Sequence, residues 1–296
     1  LRENLDLSGP TTISRESMNK NLYRSIMEKK EMSENEGHPL DGLKKQLQLL
    51  GEERDATPML FYTSGNIDYY KASSFLKILR NEPSIENLDL ILDSGGGELT
   101  MAVKIASICK NYSTKFTVIV PFYAKSAATM IALSADDLIL GKAGELGPID
   151  PQVKHPTSDT FIPASSIKNA LAFIESSNDP YIKITMADKL DPLLIGAYNM
   201  TIDEARQYLV EIPNIKNSEN KQQMIDTFTK KYVDHGFPIT QEICRSLNFD
   251  FSFEFDNDEI ENMIYDIHDT VLEFMEDNGL ESLILTPNNA FVGIYD

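Results

Sequence analysis

Only two cysteines, Cys109 and Cys244, occur in the 296 residues, far apart and within helical patterns. They support neither a disulfide framework nor a metal cluster, so two buried free thiols are expected. Nothing in the sequence calls for a metal or a cofactor. Basic residues are also scarce: 27 Lys and Arg stand against 46 Asp and Glu, a net charge of −19 at pH 7. A phosphate backbone demands clustered Lys and Arg, so nucleic acid is excluded as a partner. The same balance argues against adsorption to an anionic membrane surface. Much of the excess acid falls between Asp250 and Asp277 and reads as a solvated face. Long apolar runs are missing too. The longest such stretch, residues 116–135, contains Pro121 and Lys125 and breaks at Ser126, so it is no membrane span. No signal-peptide pattern opens the chain, which starts at Leu1 rather than Met, and a cytoplasmic address is expected. Internal repeats and low-complexity stretches are absent.

What is present is ordinary globular composition, 42% hydrophobic and 25% charged, in a chain long enough for a sizeable core. The pattern divides it in three. Residues 1–56 read as a helical N-terminal arm, with Met18, Leu22, Ile26 and Met27 and then Leu43, Leu47 and Leu50 at helical spacing around a loop at 31–39. Residues 57–250 form the main domain. Strands are predicted at 59–63, 88–92, 116–120 and 138–140, and helices at 67–79, 98–112 and 126–134. That alternation predicts an α/β fold of parallel, right-handed βαβ units. Further helices are predicted at 167–176, 181–200, 202–208 (with Thr201 as cap), 219–232 and 240–247. Phe249, Phe251, Phe253 and Phe255 alternate with Asp250, Ser252, Glu254 and Asp256, the period of a strand with one aromatic face. Residues 251–296 read as an acidic C-terminal extension, packed on the core through a helix at 260–275 and a hairpin of 282–285 with 291–295.

Chemistry concentrates in residues 89–150. Gly95-Gly96-Gly97 follows a strand, where glycine permits torsions closed to other residues and lets a substrate approach the main chain. Donors at such a turn suit an anion or a developing oxyanion, but a plain structural turn explains the glycines equally well. No Lys-Ser/Thr pair follows, which sets phosphate binding aside. Ser126 also follows a strand and opens a helix among the small residues Ala124, Ala127 and Ala128. It is either a nucleophile with room for a substrate chain or a helix cap.

Leu92-Asp93-Ser94-Gly95-Gly96-Gly97 resembles the Asp-Ser-Pro-Gly-Gly turn of the Clp protease proteolytic subunit and signal peptide peptidase A families, with Gly95 where the proline usually stands. The separation from Gly97 to Ser126 matches those families. Ala124-Lys125-Ser126-Ala127-Ala128-Thr129, Leu146-Gly147-Pro148-Ile149-Asp150-Pro151-Gln152 and His235-Gly236-Phe237-Pro238-Ile239-Thr240 most closely resemble the serine dehydrogenase proteinase branch of that superfamily. The resemblance covers roughly residues 58–250. It implies a ClpP/crotonase-like spiral of βαβ units with additional helices. It further implies Ser126 as nucleophile, the N–H groups of Gly97 and Ala127 as oxyanion hole, and an extended peptide or protein substrate lying along the glycine strand. Homo-oligomers (dimers, trimers or rings) are implied as well.

The base is the departure from the pattern. The Clp subunit carries a histidine after the nucleophile's helix, where this chain has Asp150, read as a turn residue, with His155 a few residues beyond. Signal peptide peptidases use a lysine from a later helix, which points to Lys168, with Lys183 a distant fallback. His235 is the other histidine in play, as a turn cap or as a base. A lysine base must be neutral, which requires desolvation. The expected activity is hydrolysis of peptide bonds through an acyl-enzyme on Ser126. The rival expectations are a catalytically inactive scaffold or peptide-binding assembly protein, and, further off, a crotonase-type acyl-CoA enzyme.

Overall fold

Strand β1 (Thr57–Thr63) is apolar on both faces, as a strand buried between two layers must be. It is the axis of the computed structural model, which describes residues 39–150, 152–154, 161–163, 165–190, 192–232 and 234–294. The helical pattern expected at 18–27 lies outside these residues. β1 pairs in parallel with β2 (Ile85–Ser94), β2 with β3 (Ser113–Val120), and β3 with β5 (Asp137–Leu140). Short β4 (Tyr123–Ala124) pairs in parallel with the last residue of β2, β6 (Glu145–Leu146) runs parallel to β4, and β9 (Ile239–Thr240) closes that edge antiparallel to β6. The other edge is closed by β10 (Leu280–Leu285), antiparallel to β1, and β11 (Ala290–Ile294). These nine strands form one mixed sheet, while β7 (Gln152–Lys154) and β8 (Phe161–Pro163) form a separate ribbon.

The two-residue period of the strands sorts the core into two layers. Met59, Phe61, Leu90, Leu92, Val118 and Val120 face helices α2 (Tyr69–Leu79), α3 (Leu99–Tyr112) and α4 (Ala127–Leu133). Leu60, Tyr62, Ile91, Ile119 and Ile139 face α1 (Pro39–Arg54) and α11 (Asp258–Asp277). α1 buries Leu40, Leu43, Leu47 and Leu50, and α11 buries Ile260, Ile264, Ile267 and Val271, each a stripe at helical spacing. Asn257 caps α11 by accepting the Ile260 N–H at 2.9 Å, and acids in the first turn suit that end of the helix. Cys109 and Cys244 are buried and unbridged, and burial pushes both thiols up, Cys244 to about 12.

After the β7–β8 ribbon come α5 (Ser165–Ser176), α6 (Pro180–Ala187), α7 (Pro192–Glu211), α8 (Pro213–Lys216) and α9 (Lys221–Thr229), and after β9 comes α10 (Gln241–Ser246). Two sequence expectations change here. The helix expected over 181–200 breaks at Asp188, and α7 starts afresh with Pro192 at its first turn, a position that needs no donor. Thr201 then lies inside α7 rather than capping a new helix, because Tyr198, Ala205 and Leu209 continue one buried stripe. The Phe249–Phe255 run is not a strand either. Its aromatic side does turn inward, with Phe249 and Phe253 buried, but only one bridge, Ile139 to Phe253, joins it to the sheet.

Candidate active site

The glycine turn is built against the strand that leads into Ser126. Ser94, the last residue of β2, is fully buried. Its hydroxyl accepts the Gly96 N–H at 3.1 Å, and its carbonyl accepts the Lys125 N–H at 2.9 Å. Gly96 and Gly97 have φ of +108° and +149°, which a side chain would strain. A Cβ on Gly96 would lie 2.8 Å from both the Lys125 carbonyl oxygen and Ser126 Cβ, and one on Gly97 would lie 2.2 Å from the Ile67 nitrogen. Only glycine allows this approach. Ile67 donates to the Gly96 carbonyl and accepts from Glu98 N–H, both at 2.8 Å, which leaves the Gly97 N–H outside that ladder.

Ser126 sits on the sharp turn between β4 and α4, half-buried, at φ 51° and ψ −120°. A non-glycine residue there is held by its surroundings at a conformational cost. Its side chain makes no capping hydrogen bond, so the cap alternative is not what the residue does. α4 is buried throughout, and Thr129 within it fixes the next segment: its hydroxyl lies 2.7 Å from the Ala124 carbonyl and accepts the Gly147 N–H at 3.0 Å.

Gly147 leads to Asp150, which is 5% exposed. The Ile149 N–H bonds the Phe228 carbonyl at 2.6 Å, tying this segment to α9. Asp150 Oδ1 lies 2.5 Å from His235 Nδ1. The contact uses Nδ1, so Nε2 is the ring nitrogen left outside it. The His235 turn is held from both sides. β9 follows it and pairs with β6, and Lys125 Nζ reaches the Gly236 carbonyl at 3.3 Å, the Leu146 carbonyl at 3.2 Å and Glu145 at 2.5 Å. Lys125 therefore points away from the reacting side, as its position next to Ser126 suggested.

Ser126, Ala127, Gly97 and His235 line one open cavity of about 510 Å³, with Glu98 and Glu204 also on its wall. Three of the expected elements thus meet: the serine, the two backbone donors and one histidine. Lys183 is exposed on α6. His155 and the Lys168 side chain lie outside the described residues. The partnership of Asp150 with His235 was not read from the sequence, since the two are 85 residues apart and meet only through the β6–β9 pairing. Among the described residues there is no group of three or more His, Cys, Asp or Glu suited to a metal ion, and no helix long and apolar enough to cross a membrane.

The sequence model of the ClpP-like SDH-type serine proteinases matches residues 62–277. Two uncharacterised proteins of Methanocaldococcus jannaschii, MJ0137 and MJ1495, are 28% and 27% identical over 180 residues, 60% of this chain. The match spans 58% and 56% of their own lengths. Among solved structures, ClpP1 from Listeria monocytogenes has a TM-score of 0.42 at 13% identity, covering 72% of this chain and 99% of its own. The ClpP protease catalytic domain from Plasmodium falciparum has a TM-score of 0.37 at 12% identity, covering 72% and 91%.

Proposed function

Because the chain belongs to the ClpP-like SDH-type serine proteinase family, we propose that it is a serine peptidase acting through Ser126, His235 and Asp150. The observation that carries this reading is the His235–Asp150 pair on the wall of the cavity that also holds Ser126 and the glycine turn. In this reading the base is His235 rather than Lys168, and Asp150 orients it rather than serving as a turn residue.

A serine hydroxyl is a weak nucleophile until a positioned base takes its proton. In this mechanism His235 Nε2 removes the proton as Ser126 Oγ adds to the peptide carbonyl. The negative charge that develops on the carbonyl oxygen is received by the N–H groups of Gly97 and Ala127. Asp150, buried and accepting from Nδ1–H, holds the tautomer and stabilises the imidazolium. The imidazolium then protonates the leaving amine, and an ester to Ser126 remains. Water, deprotonated by the same nitrogen, releases the acid and restores the hydroxyl. The strained turn at Ser126 and the torsions of Gly96 and Gly97 are fixed before substrate arrives, so the donors are already aimed. The substrate is a peptide or protein segment lying along the glycine turn. A homo-oligomer in the cytoplasm completes the reading.

The test is hydrolysis of casein by the full chain and its variants. Ser126→Ala should abolish cleavage and His235→Gln should lower it by about 10³-fold or more, while Lys168→Ala cuts normally. A folded wild type that leaves casein intact would sink the peptidase reading. Full activity in His235→Gln with loss in Lys168→Ala would return the base to the lysine.

A further inference from the structure

Back to back with the glycine turn, on the α1–α11 side of the sheet, lies a second cavity of about 330 Å³. It opens at the carboxyl ends of β1 and β2, between Tyr62, Thr63 and Asp93 on the strands and Leu272, Met275 and Leu280 opposite. The strand period sends Asp93 to this side while its neighbour Ser94 holds the oxyanion turn.

Asp93 is 6% exposed. One carboxylate oxygen takes the backbone N–H of Tyr123. The other, Oδ2, is buried with no hydrogen-bond donor among the described residues. The nearest basic group is His268, whose Nδ1 stands 4.0 Å from Oδ2 but is engaged by the Tyr62 hydroxyl at 3.0 Å. Burial also lowers the His268 pKa, which favours the neutral ring. Among the described residues no Lys or Arg lines the cavity, whereas Glu276 does. A buried carboxylate with neither cation nor full hydrogen bonding is costly, and a fold that keeps one has a use for it. The walls complete the specification: three apolar side chains, with Leu272 45% exposed towards solvent.

We propose that this cavity is a binding site for a small primary amine in its ammonium form. The ammonium would bond Asp93, and the alkyl chain would lie against Leu272, Met275 and Leu280. The ammonium needs the ionised carboxylate, and burial raises Asp93 to about 7, so affinity should climb as pH goes from about 6 to 8. The titratable groups that line the cavity with this carboxylate are Tyr62 on β1, Tyr123 on β4 and Glu276 on α11, with His268 of α11 at 4.0 Å from Oδ2. Tyr62 is held well above its usual value and stays neutral across that range.

The experiment is calorimetric titration of the full chain with n-butylammonium chloride at low millimolar concentrations, with the Met275 methyl resonance followed by NMR. Saturable binding is expected, weakened about tenfold or more in Asp93→Asn, as for loss of one charge-assisted hydrogen bond. Leu272→Trp, a surface change that fills the mouth, should block it independently. n-Butanol should not bind. Absence of saturable butylammonium binding by folded wild type would overturn the proposal. So would equal affinity in wild type and Asp93→Asn, or equal binding of n-butanol. None of these outcomes depends on whether Ser126 cleaves peptides.

Discussion

Two acidic side chains, both over nine-tenths buried, are treated oppositely by this fold. Asp150 has His235 Nδ1 at 2.5 Å, whereas Asp93 has an oxygen without a donor among the described residues. For Asp93 the consequence is a pH dependence of stability. Its folded pKa is about 7, against about 3.9 for an unfolded aspartate. Between those values the native state keeps a proton that the unfolded chain has lost, so stability falls as pH rises through that window. Asp93→Asn removes the effect. By urea denaturation the variant should match wild type near pH 4 and exceed it at pH 8 by something on the order of 2–4 kcal/mol. A wild type as stable as the variant at pH 8 would refute the assignment. The stretch holding Ser126 and the glycines was legible in the sequence because strand, small residues and spacing are all local. The contact of His235 with Asp150 was not: a histidine and an aspartate 85 residues apart declare their pairing only once β9 has docked on β6.

Among the elements, the glycine turn and α4 work as one piece, since Ser94, Gly96 and Ile67 lock the turn while Thr129 locks the helix to the Asp150 segment. Gly97→Ala would drive a methyl to 2.2 Å from the Ile67 nitrogen at a backbone angle hostile to alanine. It should cost about 1–3 kcal/mol of stability and at least about 10²-fold in peptidase rate, measured by chemical denaturation and peptide hydrolysis. A fully active Gly97→Ala would remove that residue from the oxyanion hole. Short apolar runs proved a good guide to strands β1, β2, β3 and β5, and the expected C-terminal hairpin is there as β10 and β11. Alternation of side chains misled at residues 249–255. There Asp137 accepts from both the backbone N–H and the hydroxyl of Ser252, at 2.8 and 2.7 Å, and Phe253 turns to φ 59°. Side-chain bonds replace the ladder, so the aromatic side faces inward without a strand. Such competition between side chain and backbone leaves no trace in a hydrophobic pattern.

At the scale of the molecule, the acidic C-terminal stretch is structural rather than appended. α11 covers Tyr62, Ile91, Ile119 and Ile139, and β10 pairs with the edge of β1. We therefore expect deletion of residues 258–294 to bare an apolar sheet face and an unpaired edge, giving aggregated or unfolded protein by circular dichroism and size-exclusion chromatography. A soluble, native-like truncation would show instead that the main domain stands alone. The acids of that stretch, Glu261 apart, lie outward, and for that reason composition suggested only a solvated face. The account as a whole turns on whether Ser126 is a nucleophile activated by His235. The most direct measurement is the second-order rate of Ser126 modification by a fluorophosphonate, read by intact and peptide mass spectrometry on wild type, His235→Gln and Asp150→Asn. A single adduct at Ser126 is expected in wild type, slowed by about 10³-fold in His235→Gln and strongly in Asp150→Asn. An unlabelled wild type, or a rate indifferent to His235, would contradict it.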